Sequence, residues 1–307
     1  MIFTIKVLPV KNKWTILFLL SLLFIACESS DEVAAEEIEP VPFLSSMQAT
    51  SHFLEPYTTR NRFFNEQGQL SIERFNHVDS RYRTYEYDDL NRVISFTTYQ
   101  IDDNPYLTYT IAYEGELIRD ITRFNHLTST EDILDVDYEG ARVTIYFEDV
   151  NVVVVFADET RELLIERNMV SAASGNALSS FKYEYDINNN LMVFSQYKQD
   201  PGSGGALYLS RQNTYTYDSN PNPHRNMIYP GILLDAVFRS ALLDWTHQVK
   251  RYSTNNCIMD TAYFPLTEGT IEEVINYTYN DEGYILTSSR IRLGSDYPSL
   301  DHVYEYN

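Results

Sequence analysis

Any chemistry in this chain has to come from carboxylates, side-chain amides and tyrosines. Asp186, Asn188 and Asn190 stand at the spacing of the first three oxygen ligands of a Ca²⁺-binding helix–loop–helix segment, but Tyr197 occupies the place where such a loop needs a bidentate Glu. Turn chemistry accounts for these residues without an ion, and weak Ca²⁺ binding is the alternative. The 44 acidic residues form pairs throughout the sequence, so paired carboxylates for glycoside hydrolysis are not localised by it. Cys257 would need a basic partner to act as a nucleophile, and the nearest histidine, His247, has no recognisable context. A structural, buried cysteine is the favoured reading. His77 and His126 occupy duplicated positions, which a shared structural role explains more simply than two active sites. There is no phosphate-binding Gly-rich loop, zinc spacing or nucleophile elbow, so no cofactor is implied. A formal charge of −21 argues against nucleic acid as a partner.

The tyrosines offer a second kind of surface. Tyr85 and Tyr87, Tyr183 and Tyr185, Tyr215 and Tyr217, and Tyr277 and Tyr279 are each spaced by two, which puts both rings of a pair on one face of a strand. An open face would be a platform for a glycan or an envelope protein. A covered face would be core, the preferred reading, because paired aromatics stabilise sheets without a ligand.

These residues are carried by a repeat. Tyr183-Glu184-Tyr185-Asp186-Ile187-Asn188-Asn189-Asn190-Leu191 returns around Tyr85-Glu86-Tyr87-Asp88 and Tyr277-Thr278-Tyr279-Asn280, and in worn form around Arg62-Phe63-Phe64-Asn65. The leading Asp or Asn suits the start of a type I turn, where its short side chain bonds forward to the backbone. Three residues later Gly68, Asn91, Asn189 or Gly283 falls where a hairpin closing through a G1 bulge needs positive φ. Gly115 and Gly140 mark two shorter turns. Arg74-Phe75-Asn76-His77 recurs as Arg123-Phe124-Asn125-His126, at the same offset that separates Phe64 from Tyr113. The duplication therefore extends beyond the turns. The run from Val152 to Phe156 is apolar on both faces and predicts a strand covered on both sides.

Lys6, Lys11 and Lys13 precede an apolar run too short for a comfortable span, which makes residues 1–26 an export signal. Its end, Phe24-Ile25-Ala26-Cys27, resembles the lipobox of bacterial lipoproteins, in which the cysteine is lipidated and becomes the first residue. Removing three lysines and no acid takes the formal charge from −21 to −24. Residues 27–42 follow as an acidic, Pro-containing tether that cannot bury enough apolar surface to order itself. Acids directly after Cys27 resemble the surface-export signal of Bacteroidota-type lipoproteins, and a periplasm-facing tether is the alternative. Later, residues 222–256 interrupt the repeat. Pro221 takes the turn position of a fifth copy, and Leu233, Leu234, Val237, Phe238, Ala241, Leu242 and Trp245 predict an amphipathic helix over about 231–246 that covers one end, face or edge of the sheet.

The Tyr-x-Tyr-Asp unit resembles the YD repeat of Rhs-type proteins. It is more similar to a group of Bacteroidota surface lipoproteins of unknown function, in which a late insert with an Asn-Pro pair and a downstream Ser-x-Asn-Asn precedes the last hairpins. Here those features are Asn222-Pro223 and Ser253-Thr254-Asn255-Asn256, and the likeness spans most of residues 60–307. Arg62, Pro221 and the two shortened copies depart from the pattern. The resemblance implies hairpins stacked side by side and no particular activity.

The expected fold is all-β, an antiparallel meander of repeated hairpins in an open or rolled sheet over residues 43–307, with one late helix. The expected function is a lipid-anchored outer-membrane protein acting as a non-enzymatic binding or structural scaffold. The alternative is a surface protein that binds or degrades glycans.

Overall fold

The computed structural model describes residues 44–52, 58–76, 81–200, 205–222, 224, 231–238, 253–295 and 298–306. The signal, Cys27, the tether, His77, His247 and residues 239–252 of the predicted helix lie outside these residues.

Eighteen strands run in chain order from β1 (Leu44–Ser51) to β18 (Pro298–Tyr306). Each pairs antiparallel with its sequence neighbours, and β1 also pairs with β18, Met47 opposite Tyr304 and Ala49 opposite His302. The sheet is therefore a closed up-and-down barrel, which corrects the expected open or rolled meander. A hairpin repeat dictates neighbour pairing but not the number of strands or whether the last meets the first. Closure depends on β1, which carries no copy of the repeat. Because connections alternate between ends, the repeat turns share one end of the barrel with Leu44 and Tyr306. The other end carries the remaining loops.

Local chemistry explains the repeat turns. The side-chain Oδ1 of Asn65, Asp88, Asp186 and Asn280 each accepts two backbone N–H bonds, from the residues two and four further on, at 2.8–3.1 Å. The position between those donors has positive φ: 72° at Gly68, 62° at Asn91, 63° at Asn189 and 88° at Gly283. Each hairpin shifts register by one residue there, at Phe63/Phe64, Glu86/Tyr87, Glu184/Tyr185 and Thr278/Tyr279. Gly115 and Gly140 also have positive φ, 62° and 58°, in the two shorter turns.

Successive hairpins are joined by tyrosine hydroxyls. Tyr87 donates to the Leu70 carbonyl at 2.9 Å, Tyr113 to Val93 at 2.9 Å, Tyr185 to Leu164 at 2.9 Å and Tyr217 to Leu191 at 2.7 Å. The acceptor is the first residue of a returning strand, so each ring ties its unit to the one before. In the last full unit Tyr277 takes this part, donating to Cys257 O at 2.8 Å, and Tyr279 reaches Asp218 Oδ2 at 3.1 Å. A hydrogen bond of this kind contributes about 1 kcal/mol net.

The two faces of the wall differ sharply. On β12 (Ala177–Tyr185), Phe181 and Tyr183 are buried while Lys182 and Glu184 are exposed. On β8 (Thr130–Glu139), Leu134 is buried while Glu131, Asp135, Asp137 and Glu139 are exposed. On β16 (Gly269–Tyr279), Thr270, Glu272, Asn276 and Thr278 face solvent. Membrane-spanning barrels have the opposite wall, apolar outside, and a charge at mid-depth on their lipid face costs about 2–4 kcal/mol. Along β10 (Val150–Phe156), Val152, Val153, Val154 and Phe156 are all buried, consistent with the predicted cover on both sides.

Spanning barrels of this strand number usually enclose water. Here the lumen holds one continuous apolar core and a helix, α1 (Ile232–Phe238). Leu234, Asp235, Ala236 and Val237 are all buried, which requires protein on every side of the helix. Phe238 packs against Phe96 and Tyr109, with ring centroids 5.3 and 4.5 Å away, and Arg167 Nε donates to Ala236 O at 2.5 Å. The helix thus packs inside the barrel instead of blunting a sheet edge, since a closed ring has none to cover.

Candidate functional site

Among the described residues, two places stand out for bringing polar side chains together. The first is inside the wall. Ser288 Oγ and His302 Nδ1 are 3.1 Å apart across β17 (Ile285–Arg292) and β18, a nucleophile–base spacing. Burial pulls the His302 imidazole down to about 3, assisted by the positive charges of Arg290, Arg62 and Arg60. Such a ring is too weakly basic to take a proton at neutral pH. Its surroundings are internally paired: Arg62 Nε donates to Glu73 Oε1 at 2.8 Å, Arg290 Nη1 to Glu273 Oε2 at 3.2 Å, and Asn213 Nδ2 to Asp260 Oδ1 at 2.6 Å. This cluster satisfies buried charge. Sequence reasoning missed it because its members meet only through strand register.

The second is a groove of about 600 Å³ at the repeat-turn end, between the turn joining β12 to β13 (Leu191–Gln199) and the end of β14 (Leu207–Pro221). Its walls include Asp186, Asn188, Met192, Tyr217, Ser219 and Asn255. The insert leaves and re-enters beside it, and its two ends are cross-braced. Asn222 N–H donates to Thr254 O at 2.9 Å, and Asn222 Nδ2 to Ser253 O at 3.0 Å. Ser253 Oγ accepts from Leu191 N–H at 3.1 Å, while Asn190 and Asn255 exchange bonds of 2.9 and 3.1 Å. The Asn-Pro and Ser-x-Asn-Asn features of the sequence are thus the two footings of the insert.

The carboxylates of the groove are engaged. Asp186 Oδ1 holds two backbone N–H groups and Oδ2 accepts from Asn190 Nδ2 at 3.0 Å. Burial pulls the Asp186 carboxyl upward, but hydrogen bonds from the backbone and side chain of Asn190 and the backbone of Asn188 outweigh it and hold it below its ordinary value. Asp218 Oδ1 accepts from the N–H groups of Asn220 at 3.0 Å and Asn256 at 3.2 Å. Asp186, Asn188 and Asn190, the trio with cation-ligand spacing, direct their bonds into the turn and the insert footing. Among the described residues no cluster of His, Cys, Asp or Glu has the makings of a metal centre.

The tyrosine pairs lie on the inward face. Tyr85, Tyr183 and Tyr215 are 7%, 3% and 3% exposed, and Tyr87, Tyr185, Tyr217, Tyr277 and Tyr279 pack half-buried against the same core. Burial raises the hydroxyls of Tyr183, Tyr185, Tyr215 and Tyr277, and pushes Tyr113 up to about 12, so all remain neutral. Cys257 is buried. His126 pairs through Nε2 with Thr108 Oγ1 at 2.9 Å.

No protein-family model matches the chain, and no curated protein matches it. Among solved structures, a porin-like protein from Bacteroides uniformis aligns at 13% identity with a TM-score of 0.44, covering 86% of this chain and 96% of its own. A porin-like protein from Bacteroides vulgatus aligns at 10% identity and a TM-score of 0.38, over 87% of this chain and 99% of its own. The TcdB2-TccC3-Cdc42 structure aligns at 14% identity and 0.35, over 79% of this chain but only 11% of that one. At these scores the likenesses carry no argument about this chain.

Proposed function

We propose that this chain is a lipid-tethered protein of the outer membrane whose closed, water-surrounded barrel serves as a non-enzymatic binding scaffold. The polarity of the wall carries the reading. Glu131, Asp135, Asp137, Lys182 and Glu184 line a face that would meet lipid in a spanning barrel, and among the described residues an apolar core occupies the lumen. Attachment then falls to the N-terminal segment, where Cys27 follows Phe24-Ile25-Ala26 and would carry the acyl chains. The acids after Cys27 support export to the cell surface. A binding role fits better than catalysis, because Asp186 is held ionised, the wrong state for a general acid, and His302 is held neutral inside the wall.

Fractionation of cells producing the full chain tests the tether. The native protein should pellet with membranes and resist carbonate extraction, whereas Cys27→Ala should appear in the soluble fraction. A Cys27→Ala protein that still resists carbonate would overturn the tether and put the barrel wall itself in the bilayer. Protease added to intact cells should digest the barrel, and full protection would assign it to the periplasmic side.

A further inference from the structure

We infer that the groove between the β12–β13 turn and the end of β14 is a binding site for a neutral saccharide. This deepens the scaffold reading above and rests on it. About 600 Å³ is within the range of small-molecule sites. Its lining decides the chemistry. Asn188, Thr216 and Ser219 are exposed along it, and among the described residues their side-chain amide and hydroxyl groups make no hydrogen bond. They offer donors and acceptors without charge. The half-buried Met192 adds apolar surface to the lining.

Other ligand classes fit less well. A hard cation needs several unengaged oxygens, but both oxygens of Asp186 and of Asp218 already accept hydrogen bonds. An anion would meet those two carboxylates with no Lys or Arg in the lining. A wholly apolar ligand would strand the amide and the hydroxyls. A polyhydroxylated, uncharged molecule matches all three conditions. It could belong to the cell's own envelope or be foreign to it, and the test separates the two.

The full chain, purified in detergent, is applied to an immobilised panel of neutral oligosaccharides, uronic-acid oligosaccharides and polysaccharide from the producing cells. Retention of neutral oligosaccharides is expected, weakened at least tenfold in Asn188→Ala/Ser219→Ala at an unchanged melting temperature. Because both positions are exposed, the double variant should fold. Ile187→Ser, on the same turn but outside the groove lining, should bind as the native chain does. Absence of neutral-saccharide retention overturns the site, as does equal retention by the double variant or retention abolished by chelating Ca²⁺. Retention of the cell's own polysaccharide alongside the neutral oligosaccharides would identify the envelope as the source, and retention of the neutral oligosaccharides without it a foreign one. A chain that binds sugar but fractionates as soluble would sink the tether and leave the groove standing.

Discussion

The hairpins ending in Asp186 and Asp218 begin alike and finish differently. Both follow Tyr-x-Tyr-Asp, and both aspartates cap the backbone N–H two residues on, at Asn188 and Asn220. In the first, Asp186 goes on to cap Asn190, and the chain turns back within one reversal. In the second, Pro221 stands where the closing residue needs positive φ, which its ring forbids. The chain runs on into the barrel instead, and the second N–H at Asp218 comes from Asn256, on the far side of the insert. The cap of a tight turn has thus been rebuilt from two distant segments. A repeat can accept a long insertion where one side chain can be satisfied from either strand.

Three substitutions would break or sharpen this contrast. If the insert is core material, Phe238→Ala should cost about 3 kcal/mol in urea unfolding, since it removes an aromatic from the Phe96–Tyr109 contact. A loss below about 0.5 kcal/mol would make the insert an ornament on a self-sufficient ring. Next in size, Gly283→Val should cost about 1–2 kcal/mol, because a β-branched residue is forced to positive φ, whereas Pro221→Gly should stay within about 0.5 kcal/mol. Equal effects would erase the distinction between closed and opened reversals. Smallest, Tyr185→Phe should lower stability by about 1 kcal/mol through the lost bond to Leu164 O. An unchanged melting point would mean the hydroxyl ties add nothing to ring packing.

What could be read from the sequence was what is decided locally. The Asx cap, the positive-φ position and the bulge all lie within a few residues of one another, so Asp186 and Asn189 announce them. The apolar stripe of Leu233, Leu234, Val237 and Phe238 marks a helix in the same way, but such a stripe does not name the surface it will meet. Closure was out of reach because it rests on β1 meeting β18, segments at opposite ends of the domain. The groove was half-visible. Ser253-Thr254-Asn255-Asn256 stood out as a feature, yet the partnership of Asn255 with Asn190 exists only once the insert has returned. Ser288 and His302 gave no signal at all, since register alone makes them neighbours.

The ring has one more consequence. Every described strand has both of its backbone flanks occupied by another strand of the same chain. Among the described residues no whole strand edge is left to template the addition of a foreign strand, the usual route by which sheets recruit peptides or nucleate fibrils. Molecules of this kind can crowd together at high density without zipping into one another. Whatever they recognise must be grasped by side chains and loops.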